Sequence, residues 1–177
     1  MKRPVGSRVA GGGTAEAVLA AVITVSSSAA AGSSEDRSGP LLAKLLTEIG
    51  ADNPTVEVVA DDAEAISELL RDKVAAGIDL VLTTGGTGLT DDDVTPEATA
   101  SVIERDAPGF AEAIRAEAAR QIPTGILTRG RSGIAERTLI VNLPGSPKAV
   151  EQSFAVIGPA LAHAADQLRG SGGREHH

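Results

Sequence analysis

The chain contains no cysteine, no tryptophan and no tyrosine. Without thiols, a disulfide framework, a zinc-thiolate centre and a cysteine nucleophile are all excluded, which suits the cytoplasm as the expected location. Phe110 and Phe154 are the only aromatic residues, too few for a platform on which nucleotide bases could stack. Lys and Arg number 16 against 24 Asp and Glu, for a net charge of −8. No basic run is present to neutralise a phosphate backbone, so nucleic acid is not an expected partner. No apolar run approaches the ~20 residues needed to cross a bilayer, so a soluble protein with no membrane attachment is expected. Lys2, Arg3 and Arg8 ahead of Ala17 to Val25 superficially imitate a secretory leader. A Gly-rich stretch and Glu16 intervene, however, and the run ends in Val22-Ile23-Thr24-Val25, which reads better as a buried first strand.

The 177 residues suffice for one domain with a sizeable core of Ala, Val, Leu and Ile. Residues 1–14 are Gly-rich and lack apolar periodicity, so a disordered tail is expected there and again over 171–177, with a single domain over 15–170. Within it, strand and helix patterns alternate. Leu41, Leu42, Leu45, Leu46 and Ile49 recur at helical spacing after Pro40 and stop at Gly50. Thr55 to Val59 follows as strand two. Asp61 or Asp62 caps a helix carrying Ile66, Leu69, Leu70 and Val74, with Gly77 as its stop, and Asp79 to Thr84 is strand three. Pro96 to Arg105 and Pro108 to Gln121 read as helices and Thr138 to Val141 as a strand. Ser146 to Leu168 reads as a helical tail broken near Pro159. The expected fold is α/β, a mostly parallel sheet sandwiched between helices, with ligands beyond the carboxyl ends of the strands.

Three segments at such strand ends carry chemistry. Gly85-Gly86-Thr87-Gly88 lacks the Lys of a Walker loop and the spacing of the dinucleotide fingerprint, but its missing β-carbons let backbone N–H groups approach a phosphate. Asp91, Asp92 and Asp93 follow at once. Carboxylates beside phosphates usually need a cation between them, and Mg²⁺ commonly takes one or two carboxylates plus phosphate oxygens. Asp61, just past strand two, falls on the same sheet edge. The third segment, Asn142 to Lys148, leaves a strand, turns at Pro144-Gly145 and begins a helix at Ser146-Pro147, whose first N–H groups suit an anion. Solvated charge, helix capping and tight turns would account for each segment separately. Arg129 is a candidate to meet a substrate phosphate, whereas His163 reads as structural.

The motifs Asp36-Arg37-Ser38-Gly39-Pro40, Gly85-Gly86-Thr87-Gly88, Asp93-Val94-Thr95-Pro96-Glu97-Ala98 and Asn142-Leu143-Pro144-Gly145-Ser146-Pro147-Lys148-Ala149 occur in this order. Together they resemble the molybdopterin adenylyltransferases of MogA/MoaB type, over about Val18 to Gly170. The resemblance implies a homotrimeric enzyme that binds molybdopterin and Mg-ATP, joins the pterin to AMP and releases pyrophosphate, with hand-over of product to a molybdate-inserting protein. It implies two essential aspartates, which match Asp61 and Asp93 and are also the expected Mg²⁺ ligands. It places Gly85, Gly86, Thr87, Gly88, Ser26, Ser27, Thr128, Asn142, Pro144, Gly145 and Ser146 in the substrate and ATP site. Three positions depart from the family pattern: Asp92 stands for an Arg, Thr128 for a Ser and Ala60 for a Pro. A non-catalytic molybdopterin-binding paralogue of the same fold is the alternative that these departures leave open. Molybdate insertion, performed by related but larger proteins, is the less suitable enzyme reading.

Overall fold

A computed structural model describes residues 17–170 of the chain. The tails expected over 1–14 and 171–177 lie outside the described residues. Strand β1 (Val18–Val25) leads through a short helical turn α1 (Ser27–Ala30) to α2 (Ser38–Glu48), β2 (Ala51–Val59), α3 (Ala63–Ala75) and β3 (Leu80–Thr84). Then come α4 (Thr95–Ala100), β4 (Arg105–Asp106), α5 (Gly109–Gln121), a 3₁₀ segment Pro123–Leu127, β5 (Ser132–Ala135), β6 (Thr138–Leu143) and α6 (Pro147–Leu168).

The strands form one sheet in the order β2-β1-β3-β6-β5-β4. β1 pairs in parallel with both β2 and β3, and β3 with β6; only the β4–β5 and β5–β6 pairings are antiparallel. The order reverses at β1, because the chain crosses to β2 on one side and returns to β3 on the other. Such a switch point opens a crevice above the carboxyl ends of the two strands, β1 and β3.

Both faces of the sheet are covered, which is why its central strands read as continuous apolar runs rather than alternating ones. The period of two still sorts them. Val18, Ala20, Val22, Leu80, Leu82, Leu139, Val141 and Leu143 pack with Leu42 and Leu46 of α2, Ile114 of α5, and Val150, Phe154, Ile157 and Leu161 of α6. Ile23, Val25, Val81 and Ile140 point the other way, onto Ile66, Leu70 and Val74 of α3 and Ala98 of α4. Each fully buried Leu or Ile contributes about 1.5–3 kcal/mol by leaving water.

Several expected boundaries shift. The helix expected to run to Arg105 ends at Ala100, and Arg105 instead pairs with Ile134 in the edge strand β4. The β5 strand, of Ser-Gly-Ile-Ala, is too short to show a pattern of its own and exists because it pairs with β6. Pro159 does not break α6, which runs continuously to Leu168. Proline removes the N–H that would reach the carbonyl four residues earlier. Here Ala155 and Pro159 are both exposed, so water can satisfy the orphaned carbonyl. Among the described residues no helix is long and apolar enough to cross a membrane.

Candidate functional site

The glycine loop leaves β3 in a conformation closed to other residues. Gly85 and Gly86 have φ of +101° and +63°. A β-carbon on Gly85 would lie 2.3 Å from the Val25 carbonyl oxygen, and one on Gly86 would lie 2.4 Å from Thr95 Oγ1. The missing side chains thus let the loop lie flat against the end of β1. Thr95 fastens it, donating its hydroxyl to Gly85 O at 2.9 Å and its backbone N–H to Gly86 O at 3.1 Å.

The strap after β6 is tied to the same place. Thr84 Oγ1 donates to Pro144 O at 2.8 Å, Ser38 Oγ to Gly145 O at 2.7 Å, and Gly85 N to Leu143 O at 3.1 Å. A β-carbon on Gly145 would approach Gly85 Cα to 3.2 Å, so the two backbones nearly touch. Asp36 closes the far side, accepting from Thr24 Oγ1 at 2.8 Å and from Gly39 N at 2.9 Å.

Two clefts result, and both border the strap. One, of about 360 Å³, is lined by Ser26, Asp36, Ser38, Gly85 and Gly145 among others. The second, of about 270 Å³ and more apolar, is lined by Thr124, Thr128, Pro144, Ser146, Lys148 and Gln152 among others. Three consecutive residues of one turn therefore serve both clefts, with Gly145 facing the first and Pro144 and Ser146 the second. Ser146 also caps α6, its hydroxyl accepting from Ala149 N at 3.2 Å. A larger cleft, about 540 Å³, lies beside α4 and α5 and includes no residue of the glycine loop.

Both aspartates singled out in the sequence border the glycine loop. Asp61 Oδ1 lies 3.4 Å from where a β-carbon on Gly86 would be, while Asp61 Oδ2 accepts from Ser27 N at 2.7 Å and Ser27 Oγ at 2.8 Å. Asp62, not Asp61, caps α3 by accepting from Ala65 N at 2.8 Å. That leaves Asp61 without a capping duty. Asp93 Oδ2 would be 2.7 Å from a β-carbon on Gly88 and accepts from Thr90 N at 2.9 Å and Thr90 Oγ1 at 2.7 Å. Partial burial pushes the Asp93 carboxyl upward, but the Thr90 hydroxyl, the Thr90 and Gly88 amides and the Arg129 charge outweigh it and hold it below the usual carboxylate value. Asp93 is therefore anionic at neutral pH.

This donor set suits a hard cation that keeps most of its shell for phosphate and water. Among the described residues no group of three or more His, Cys, Asp or Glu is placed to cage a metal. Single carboxylates on separate loops beside the glycine loop match how Mg²⁺ is usually held, through one or two carboxylates and substrate oxygens.

Not every residue singled out in the sequence faces a cleft. Asn142 is 1 % exposed. Its amide donates to Thr83 Oγ1 at 3.0 Å and Thr99 Oγ1 at 2.9 Å, and its Oδ1 accepts from Arg131 N at 3.0 Å. The side chain is a buried tie between β3, α4 and the approach to β5. Thr87 is also buried, and Thr128 Oγ1 reaches its hydroxyl at 3.4 Å. Ser27 is exposed and engages Asp61, as described above. Arg129 has its guanidinium on Gly88 O, Asp93 O and Glu97. The bonding roles of Asp36, Ser38 and Thr95 escaped the reading of single residues, although all three sit inside motifs that it singled out.

Known proteins share this fold. The family described as "Probable molybdopterin binding domain" matches residues 21–163. The molybdopterin adenylyltransferase of Helicobacter pylori (strain ATCC 700392 / 26695) is 38% identical over 144 residues, covering 79% of this chain and 81% of the relative. The structure of the molybdopterin biosynthesis Mog protein from Mycobacterium ulcerans superposes with a TM-score of 0.82 at 42% identity, over 88% of this chain and 99% of that one. The tungsten cofactor synthesizing protein MoaB from Pyrococcus furiosus superposes with a TM-score of 0.78 at 33% identity, over 88% and 99% of the respective chains.

Proposed function

The chain belongs to the molybdopterin-binding-domain family, and from that membership we propose that it is a molybdopterin adenylyltransferase of molybdenum cofactor biosynthesis. The reaction joins the terminal phosphate of molybdopterin to AMP from ATP and releases pyrophosphate. Relatives that bear this name support the reading, at 37% to 43% identity.

The observation that carries it is that Pro144-Gly145-Ser146 lines two clefts, Gly145 one and Pro144 and Ser146 the other. Adenylyl transfer needs two substrates with their phosphates abutting, and a turn shared by two clefts is where they would abut. The polar cleft beside the glycine loop suits the triphosphate. The more apolar one, with Thr128 and Lys148 at its wall, suits the pterin.

In the transfer an oxygen of the pterin phosphate bonds to the α-phosphorus of ATP as the bond from that phosphorus to the pyrophosphate oxygen breaks. The attacking phosphate is already ionised at neutral pH, so no side-chain nucleophile is required. The protein's contribution is positioning and charge compensation. The glycine loop offers close backbone approach, the strap holds the phosphates adjacent, and Asp61 and Asp93 fix the polar edge. Mg²⁺ held through Asp93 and Asp61 would neutralise charge on the phosphates.

Asp92 is exposed, so the carboxylate it adds where relatives carry an Arg is screened by water and costs far less than it would in a dry site. That favours a working enzyme over a non-catalytic paralogue. A homotrimer, a cytoplasmic location and hand-over of product to a molybdate-inserting protein complete the proposal. Incubation of the purified chain with molybdopterin, Mg²⁺ and ATP should yield adenylylated molybdopterin and pyrophosphate in equal amounts. Pterin binding by calorimetry without pyrophosphate release would instead establish the binding paralogue.

A further inference from the structure

Arg129 lines the large cleft beside α4 and α5, not either of the clefts that border the strap. Its backbone N–H donates to Thr87 O at 2.8 Å and its Nε to Gly88 O at 2.7 Å. Its Nη2 donates to Asp93 O, and the guanidinium pairs with the Glu97 carboxylate. One residue thus joins the end of the glycine loop, the backbone of Asp93 and the first turn of α4.

Peptide planarity gives these contacts a consequence. The C=O and N–H of a trans peptide point in opposite directions. With the Thr87 carbonyl turned toward Arg129, the N–H of the same peptide unit, that of Gly88, turns away from it. The Asp93 carboxylate packs against Gly88, its Oδ2 2.7 Å from where a β-carbon on that residue would be. Arg129 thus holds both Gly88 and the Asp93 backbone, the two groups between which that carboxylate is set.

We infer that Arg129 is a positioning residue, which sets the Asp93 carboxylate against the glycine loop without touching either substrate. Its effect on turnover rests on the adenylyl transfer proposed above. The planar fork matters, because a Lys ammonium could keep the pairing with Glu97 but could not serve the Gly88 and Asp93 carbonyls together.

The test uses the full chain with Arg129→Lys, measuring thermal unfolding, amide exchange at Thr90, and steady-state adenylylation. The expected result is unfolding close to wild type, faster exchange at that amide, and kcat lower by about tenfold or more, the scale of a small misplacement near the reacting groups. The KM for molybdopterin should stay within about twofold, since uniform binding is untouched. Unchanged exchange overturns the inference, and so does faster exchange with wild-type kcat. A raised KM for molybdopterin at unchanged kcat would put Arg129 on the substrate phosphate instead. Should Arg129→Lys fail to fold, Glu97→Gln loosens the same guanidinium, and wild-type exchange and kcat in that variant overturn the inference as well. Failure of the functional reading is seen separately, as wild-type protein that releases no pyrophosphate, and amide exchange then decides the positioning role alone.

Discussion

Ser27 and Asp61 lock each other in place across 34 residues of chain: Ser27 N and Oγ donate to Asp61 Oδ2 at 2.7 and 2.8 Å, and Asp61 N donates back to Ser27 Oγ at 3.0 Å. The serine at the end of β1 thereby holds the carboxylate at the end of β2, leaving Oδ1 directed at Gly86.

Ser27→Ala removes two of the three bonds and leaves the amide of Asp61 to water. Because both residues are at the surface, stability should fall by only about 1 kcal/mol. Turnover should fall by about tenfold, as the freed carboxylate samples other rotamers. Chemical denaturation and pyrophosphate release, measured on the same preparation, check the two arms. Wild-type turnover would show that Asp61 needs no such restraint.

Asp93→Asn retains an oxygen that can accept from the Thr90 amide and hydroxyl, so the loop keeps its shape while the charge is lost. Unfolding should occur within about 1 kcal/mol of wild type and molybdopterin should still bind. Adenylylation should drop by roughly two orders of magnitude or more. Turnover in the variant equal to wild type would remove Asp93 from the proposed site. Joint loss of folding and activity would make its role structural.

Asn142→Ala tests a residue that looked like a binding group and proves to be interior. Its loss leaves the Thr83 and Thr99 hydroxyls and the Arg131 amide without their partner in a site from which water is excluded. Each unmet group costs about 1–3 kcal/mol. A loss of about 3 kcal/mol or more is expected from equilibrium denaturation, a large share of the stability of a single domain. A change below about 1 kcal/mol would mean that water enters and replaces the amide.

Asp79 and Arg169 form a shielded ion pair, with side chains 8% and 13% exposed, at the end of the sheet remote from the clefts. Burial pushes the Asp79 carboxyl up. The Arg169 hydrogen bonds, the Leu19 amide and the Arg169 and Arg137 charges more than reverse this and hold it below its ordinary value. A carboxylate depressed in the folded state stabilises above its unfolded pKa of about 3.9, and that stability is lost as pH falls through the lower folded value. Asp79→Asn should therefore cost about 3 kcal/mol at neutral pH, because it leaves the buried Arg169 charge without its carboxylate. The difference from wild type should shrink below about pH 4. Denaturation midpoints across pH 2.5 to 7 would show it, and a pH-independent difference would mean that shape rather than charge is lost.

Much of this molecule is readable from the chain alone. The apolar runs of β1, β3 and β6, the Leu and Ile spacing of α2 and α3, and the stops at Gly50 and Gly77 are local signals. The two glycines adopt φ of +97° and +72°, as their places in the chain suggest. Parallel pairing then puts the loops that follow β1, β2, β3 and β6 on one edge. That is why Asp61 and the glycine loop, from different strands, could be expected side by side before any coordinate was known.

Sequence by itself therefore determined the α/β class, the sheet's central strands and the edge on which the chemistry gathers, because backbone preference and apolar period are written within a few residues of each other. Tertiary structure alone decided which polar groups face that edge. Asn142 lies two residues before the strap, yet it turns inward to Thr83 and Thr99. Arg129, eligible for a phosphate by its chemistry, is held instead by carbonyls 36 and 41 residues away. Ser132–Ala135 becomes a strand only because β6 offers it a ladder. A hydrogen-bonding side chain has several partners of nearly equal worth, and which of them it meets depends on elements distant in the chain.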